Sequence, residues 1–197
     1  AAVAVAAPVE QNRDVPDFTK VALHGGIDAE IDVGGEQSVV IKTESDQQDR
    51  IRTEVRNGTL HIDMRGRRAF NDPVLARITV PELDGFDVNG SSDARIAGVD
   101  AKSFELEING SGDVEIDGRC DRVDYEINGS GEIAATNFAC GDVTVDISGS
   151  GDAAVYASGD VEIEINGSGD VILYGDGRIV EMDVNGSGDV ERGGRRN

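Results

Sequence analysis

The second half of the chain repeats one short turn motif at a nearly constant spacing. The motif reads NGSSD, NGSGD, NGSGE, SGSGD, NGSGD and NGSGD, and its copies begin at residues 89, 109, 128, 148, 166 and 185. A short, regular period is typical of repeat architectures, in which each unit packs only against its neighbours. The chain is therefore expected to fold as a stack of similar coils of about 19 residues.

Apolar and polar residues alternate on both sides of each turn, and this period of two is typical of strands with one buried face. The inward set before the turns is Phe86, Val88; Phe104, Leu106, Ile108; Val123, Tyr125, Ile127; Val143, Val145, Ile147; Val161, Ile163, Ile165; and Val180, Met182, Val184. The set after the turns is Ala94, Ile96; Val114, Ile116; Ile133, Ala135; Ala153, Val155; and Val171, Leu173. Two strands per coil, stacked in parallel, predict an all-β fold, a right-handed parallel β-solenoid (β-helix).

The Asn and Gly residues of the turns are predicted to be structural. Gly supplies the positive φ that a sharp corner needs, and stacked Asn side chains can hydrogen-bond from coil to coil. These turn residues are Asn89, Asn109, Asn128, Asn166 and Asn185 with Gly110, Gly112, Gly129, Gly131, Gly149, Gly151, Gly167, Gly169, Gly186 and Gly188. The acids that close the turns fit calcium-binding nonapeptide repeats poorly in spacing, and a turn-capping role is favoured for them.

Residues 18–192 are predicted to form a single domain, with six repeats over 89–192. Residues 18–88 read as an irregular β-rich cap, in which His24 to Ile31 resembles a degenerate turn followed by a strand. Residues 65–68 are a basic loop, and residues 193–197 form a basic C-terminal tail.

Residues 1–17 are interpreted as a signal-peptide remnant or N-terminal tail because the first eight are small and apolar, which indicates export. An ordinary apolar first strand is the alternative.

A formal charge of −21 excludes nucleic acid and anionic lipid head groups as partners of the main body. No apolar run is long enough to span a bilayer, so no transmembrane segment is expected. The charge also favours attraction of cations.

Outward positions before the turns carry carboxylates in two predicted ladders. One ladder is Asp87, Glu107, Glu126, Asp146, Glu164 and Asp183, and the other is Glu105, Asp124, Glu162 and Glu181. Like charges on neighbouring strands destabilise a sheet, so a bound divalent cation such as Ca²⁺ is one explanation for the ladders. A solvated face that resists aggregation is the alternative.

Cys120 and Cys140 each lie eight residues before a turn, so stacked coils place them close enough for a disulfide. A metal site is not expected, because the chain has only these two cysteines and because His24 and His61 lie far from them in sequence. No nucleophile elbow, P-loop or complete dinucleotide-binding motif is present, and the repeats carry few basic and aromatic residues. The sequence therefore favours a protein that is not an enzyme. Cleavage of acidic polysaccharides, a chemistry found on other β-helices, is the enzymatic alternative.

Three features together resemble the bacterial head GIN domain family, also labelled DUF2807 or "putative auto-transporter adhesin". They are Thr59-Leu60-His61-Ile62, the segment Arg77-Ile78-Thr79-Val80-Pro81-Glu82-Leu83, and the GSGD turns that follow in the same order, a resemblance that covers roughly residues 18–192. The resemblance implies an exported β-solenoid with an adhesive or binding role and no agreed catalytic site. We therefore expect a periplasmic, outer-membrane-surface or extracellular protein that binds a protein or glycan ligand. A subunit that stacks end to end into a fibre is the structural alternative, because solenoid ends expose unpaired strand edges.

Overall fold

The structure, a computed structural model, describes residues 8–66 and 74–194. The only helix among them is a single 3₁₀ turn at Gln48–Arg50, and none is long and apolar enough to cross a bilayer. The sixteen strands are β1 Pro8–Asn12, β2 Lys20–Gly25, β3 Ile27–Val33, β4 Ser38–Glu44, β5 Ile51–Arg56, β6 Thr59–Met64, β7 Val74–Val80, β8 Gly85–Gly90, β9 Ala94–Gly110, β10 Asp113–Gly129, β11 Glu132–Gly149, β12 Asp152–Ala157, β13 Asp160–Gly167, β14 Val171–Tyr174, β15 Arg178–Gly186 and β16 Val190–Arg192.

Each turn connects two stacks of strands. The strands before the turns form a front sheet in the order β5-β6-β2-β8-β9-β10-β11-β13-β15, and those after the turns form a rear sheet in the order β1-β4-β7-β3-β9-β10-β11-β12-β14-β16. β9, β10 and β11 belong to both sheets, because each begins in the rear sheet and continues through a register shift into the front sheet. Pairing between successive coils is parallel throughout. The predicted parallel β-solenoid is confirmed, and its right-handedness stays a prediction.

The core is a narrow apolar column between the two sheets. Every predicted inward residue of the first five coils is buried on both sides of the turns. The last coil differs, because the register shifts between Val161 and Glu162 and pairs Val161 with Ile179. Val180, predicted to point inward, is instead 46% exposed, and Met182 is 55% exposed because no further coil covers β15. The inward assignment of Val180 was therefore wrong.

The N-terminal cap is more regular than the sequence suggested. β2 and β3 form a coil with the predicted degenerate turn, since His24 pairs with Asn89 and Gly25 with Gly90. β6 and β7 form a second coil, which stacks on the outer side of the first. The chain order therefore differs from the spatial order, because the β2–β3 coil lies between the β6–β7 coil and β8. Among the described strands, the antiparallel pairs are β1 with β4, β4 with β7 and β5 with β6, and β1, β4 and β5 cover the start of the stack. β1 lies within the segment predicted to be an N-terminal tail. Parts of the basic loop and of the basic tail lie outside the described residues, as do residues 1–7, 67–73 and 195–197 as a whole.

The two glycines of each turn are needed for different reasons. The first adopts a positive φ of 138–150° in all six turns, as predicted. The second is required by crowding, since a Cβ on Gly112 would lie 2.1 Å from the carbonyl oxygen of Ser92 on the preceding coil. Ser92 replaces this second glycine in the first of the six turns, where its buried Oγ accepts the Ile27 N–H and donates to the Gly25 carbonyl oxygen.

Candidate functional site

The front sheet carries the predicted carboxylates in register on its outer surface. One column runs Asp87, Glu107, Glu126, Asp146, Glu164, Asp183 from β8 to β15, with each acid paired to the next. The second column runs Glu105, Asp124, Thr144, Glu162, Glu181, so that a threonine interrupts it once. We call these ten carboxylates the acidic face. The sequence-predicted residues are thus brought together on one surface.

Two shallow depressions lie between the columns. The larger has a volume of about 370 Å³ and is lined by residues of β8, β9, β10 and β11, among them Asp87 and Asp146. The smaller has a volume of about 180 Å³ and is lined by residues of β11, β13 and β15, among them Thr144 and Asp183. Both follow the line of the stack, so the acidic face offers an elongated site rather than a closed pocket.

The charge on the acidic face is almost uncompensated. Among the described residues, its one basic partner is Lys20, whose Nζ lies 2.5 Å from Glu105 Oε2. On the rear sheet three acids form ion pairs with arginines: Glu10 and Glu30 with Arg77, at 2.8 and 3.1 Å, and Glu115 with Arg95 at 2.9 Å. Negative charge is therefore concentrated on one surface of the molecule.

Burial and the neighbouring carboxylates both raise the pKa of two carboxyl groups on the acidic face. Burial, and then the neighbouring Glu107, raises the pKa of Asp87 above its usual value. Burial, followed by the charges of Glu164 and Glu126, raises the pKa of Asp146 in the same way. The opposite arrangement occurs at Asp100, where a hydrogen bond from Arg119 lowers the pKa of the carboxyl group.

The asparagines at the head of the turns provide part of the missing compensation. The amides of Asn109, Asn128, Asn166 and Asn185 donate to the carboxylate two residues earlier, over 2.6–3.1 Å. The predicted ladder of asparagines is shorter than expected, since it links only Asn128 to Asn109 and Asn109 to Asn89. Ser148 occupies the next position, and its side chain has no amide group.

Several acids that close the turns accept hydrogen bonds from backbone N–H groups of the following coil. The carboxylate of Asp93 accepts the N–H of Asp113, and Asp113 accepts the N–H of Glu132 on the following coil. The same contact links Asp152 to Asp170 and Asp170 to Asp189. This geometry supports the predicted turn-capping role.

Cysteine and histidine residues are the remaining candidates for metal ligands. A disulfide joins Cys120 and Cys140, which lie at paired positions of β10 and β11 with their Cα atoms 4.5 Å apart. His24 and His61 are also neighbours, with ring nitrogens 3.2 Å apart, a contact that was not predicted from the sequence. The sequence signal that could have found them is the match of the degenerate His24 turn to the later turns. Within the described ranges, no three His, Cys, Asp or Glu side chains are already arranged to hold a metal ion.

Comparisons with known proteins identify the family. A family model described as "Putative auto-transporter adhesin, head GIN domain" matches residues 17–177, so the coil that contains β15 lies mostly beyond the match. No curated protein matches the chain.

Solved structures are similar in fold at low identity. A "putative adhesin" of Bacteroides fragilis is 17% identical with a TM-score of 0.75, and the alignment covers 94% of this chain and 96% of that protein. A "putative adhesin" of Parabacteroides distasonis is 19% identical with a TM-score of 0.61, over 95% of this chain and 97% of that protein. A "putative lipid binding protein" of the same organism is 22% identical with a TM-score of 0.53, over 95% of this chain and 97% of that protein. The fold and the matched family model agree, and the chain belongs to the head GIN domain family, DUF2807.

Proposed function

We propose that this protein is a non-enzymatic, exported surface protein of the adhesin class that binds its partner through the acidic face. The observation that carries the proposal is the contrast between the two sheets. Ten carboxylates are aligned in two columns on the front sheet with one basic partner, whereas on the rear sheet Arg77 and Arg95 form ion pairs with Glu10, Glu30 and Glu115. The family description supports the adhesin class, and the disulfide suits an oxidising compartment outside the cytoplasm.

Like charges on adjacent strands lower the stability of a sheet, so the acidic face is not explained by folding. Aligned charge of one sign also steers oppositely charged molecules and raises their rate of association. The fitting partner is therefore an extended cationic molecule that can follow the columns across several coils.

The test compares two triple variants that remove the same number of charges. Glu126→Gln, Asp146→Asn and Glu164→Gln neutralise the acidic face. Asp121→Asn, Asp176→Asn and Glu191→Gln neutralise three exposed acids elsewhere. Immobilised polylysine serves as the probe, and affinity is measured at fixed ionic strength. We expect at least about a tenfold loss for the first variant and a small change for the second. Equal losses would show that net charge alone drives binding, and would refute the acidic face as a site.

We further propose that divalent cations such as Ca²⁺ bind the acidic face. Burial first, and then the charge of neighbouring carboxylates, raises the pKa of Asp87 and Asp146, and a bound cation would offset the repulsive part. Because no three-ligand group is preformed among the described residues, side chains of adjacent rungs have to rotate toward the ion. Millimolar CaCl₂ is expected to raise the melting temperature more than NaCl of equal ionic strength. Equal shifts would reject cation binding without affecting the polylysine test.

End-to-end stacking is a second candidate, favoured by the open end of the solenoid. Within residues 74–194, β15 and β16 each pair on one side only, and Val180 and Met182 are exposed there. The edge strand at the other end of the front sheet, β5, carries Arg52 and Arg56, which complement Glu181 and Asp183 on β15. Sedimentation velocity over a hundredfold range of protein concentration should reveal growing species that Met182→Lys abolishes. A monomer at every concentration would contradict stacking.

A further inference from the structure

The chain contains only two histidines, and the fold brings them into contact. His24 lies near the end of β2 and His61 lies within β6, 37 residues further along the chain. Their strands are parallel neighbours in the front sheet, so both rings project beside the N-terminal end of the acidic face. His24 Nε2 and His61 Nδ1 are 3.2 Å apart.

The two rings meet edge to edge. Their planes differ by 16° and their centroids are 5.5 Å apart, which exceeds the nitrogen separation by the two ring radii. A hydrogen bond in this arrangement requires a lone pair on one of the facing nitrogens, so at least one ring is neutral.

This nitrogen separation is also the one that a shared metal ion needs. Two imidazole nitrogens at about 2.0–2.1 Å from one tetrahedral Zn²⁺ are about 3.3 Å apart. A modest rotation of each ring about its side-chain bonds would turn both lone pairs toward a common point. No backbone movement is needed, because the paired strands already hold the two residues in place.

Two carboxylates lie beside the histidine pair. Asp63 pairs with His24 in the β2–β6 register, and Glu54 lies opposite His61 on β5. Glu54 is held by ion pairs with Arg52 and Arg56, and Asp63 has Arg52 as its paired residue on β5. Because no three-ligand group is preformed among the described residues, the Asp63 carboxylate has to rotate toward the ion.

We propose that His24 and His61 form a binding site for a transition metal ion of the Zn²⁺ type, with Asp63 as the third protein ligand and water completing the coordination. Imidazole nitrogen is a preferred ligand of Zn²⁺, Cu²⁺ and Ni²⁺, and Ca²⁺ prefers oxygen. The histidine site therefore differs in chemistry from the acidic face, and either can exist without the other.

The experiment uses the full chain without a histidine tag, after removal of metals with a chelator. Isothermal titration with Zn²⁺ is expected to show one site per chain, and His24→Gln or His61→Gln should weaken binding by about tenfold or more. Asp63→Asn should weaken binding by a smaller factor. A control variant of the acidic face, Glu126→Gln with Asp146→Asn, should retain the site.

A spectroscopic readout keeps the test independent of variant folding. Because the chain has two histidines, long-range ¹H–¹⁵N spectra contain two imidazole systems, and both should shift on addition of one equivalent of Zn²⁺. Unchanged imidazole signals up to millimolar Zn²⁺ would overturn the proposal. Equally tight binding by the double variant His24→Gln and His61→Gln would assign the ion to carboxylates and would also overturn it.

Discussion

The first glycine of each turn lies against the corresponding glycine of the preceding coil. At Gly129, φ is +143° and an added Cβ would lie 2.1 Å from the Gly110 carbonyl oxygen. This contact recurs in neighbouring turns, so a side chain at one turn strains two coils.

Gly129→Ala is expected to lower the free energy of unfolding by about 3 kcal/mol, because both the positive φ and the backbone contact oppose a Cβ. Gly26→Ala is the matched control, since nothing lies within 4 Å of its added Cβ. Urea unfolding followed by circular dichroism measures both. Equal stabilities of the two variants would contradict the crowding argument.

Tyr125 is a polar residue within the apolar column. It is fully buried among the inward side chains, and no described residue supplies a hydrogen-bond partner for its hydroxyl group. Burial raises the pKa of this hydroxyl well above its usual value.

Tyr125→Phe is expected to raise the free energy of unfolding by about 1 kcal/mol, since it removes an unsatisfied buried hydroxyl and keeps the ring. Tyr156→Phe on the outer surface of the rear sheet is the control and should change stability little. A loss of stability in Tyr125→Phe, measured by urea unfolding, would mean that the hydroxyl has a partner.

At the scale of the strands, the charge columns make stability depend on pH. The folded-state pKa of Asp146 is raised, so the folded protein binds its proton more tightly than the unfolded chain does. This contribution to stability is present below the unfolded-state pKa of 3.8 and is lost as pH rises through the higher folded-state pKa.

Asp146→Asn should therefore match the wild type near pH 3.5 and exceed its melting temperature at pH 7, by an amount equivalent to about 0.5 kcal/mol after solvent screening. Asp100→Asn has the opposite expectation, because Arg119 lowers the pKa of Asp100 and the substitution removes a favourable contact at pH 7. Thermal unfolding at several pH values distinguishes them. A gain for Asp146→Asn that is independent of pH would contradict the repulsion argument.

The disulfide links two adjacent coils across 20 residues of sequence. Replacing both cysteines in Cys120→Ala with Cys140→Ala is expected to lower the free energy of unfolding by about 3 kcal/mol, the value for closure of a loop of this length. The oxidised wild type is the reference, and wild type in excess reductant should approach the variant. Two titratable thiols in the protein purified without reductant would show that the bond does not form.

At the scale of the whole molecule, the formal charge of −21 is distributed unevenly. Much of it lies on the acidic face, where carboxylates of successive coils are neighbours. Raising NaCl shortens the Debye length from about 30 Å at 0.01 M to about 8 Å at 0.15 M. Repulsion between rungs is thereby reduced in the folded state.

We expect the melting temperature to rise with NaCl over this range, and to rise less in the variant Glu126→Gln, Asp146→Asn, Glu164→Gln. The variant with Asp121→Asn, Asp176→Asn and Glu191→Gln controls for the change in net charge. A melting temperature that is insensitive to salt would indicate that the rungs are already neutralised.

The sequence by itself determined the repeating part of the molecule, from the strand alternation and the two turn glycines to the register of the carboxylate columns and of Cys120 with Cys140. Neighbouring coils are also neighbours in sequence, so one period specifies both local structure and packing. Tertiary structure decided the rest. The coil of β2 and β3 is inserted between coils formed later in the chain, and the open last coil shifts its register at Val180. The contact of His24 with His61 depends on that insertion. No local pattern encodes such pairings, because they are chosen by competition among distant strands for the same sheet edges.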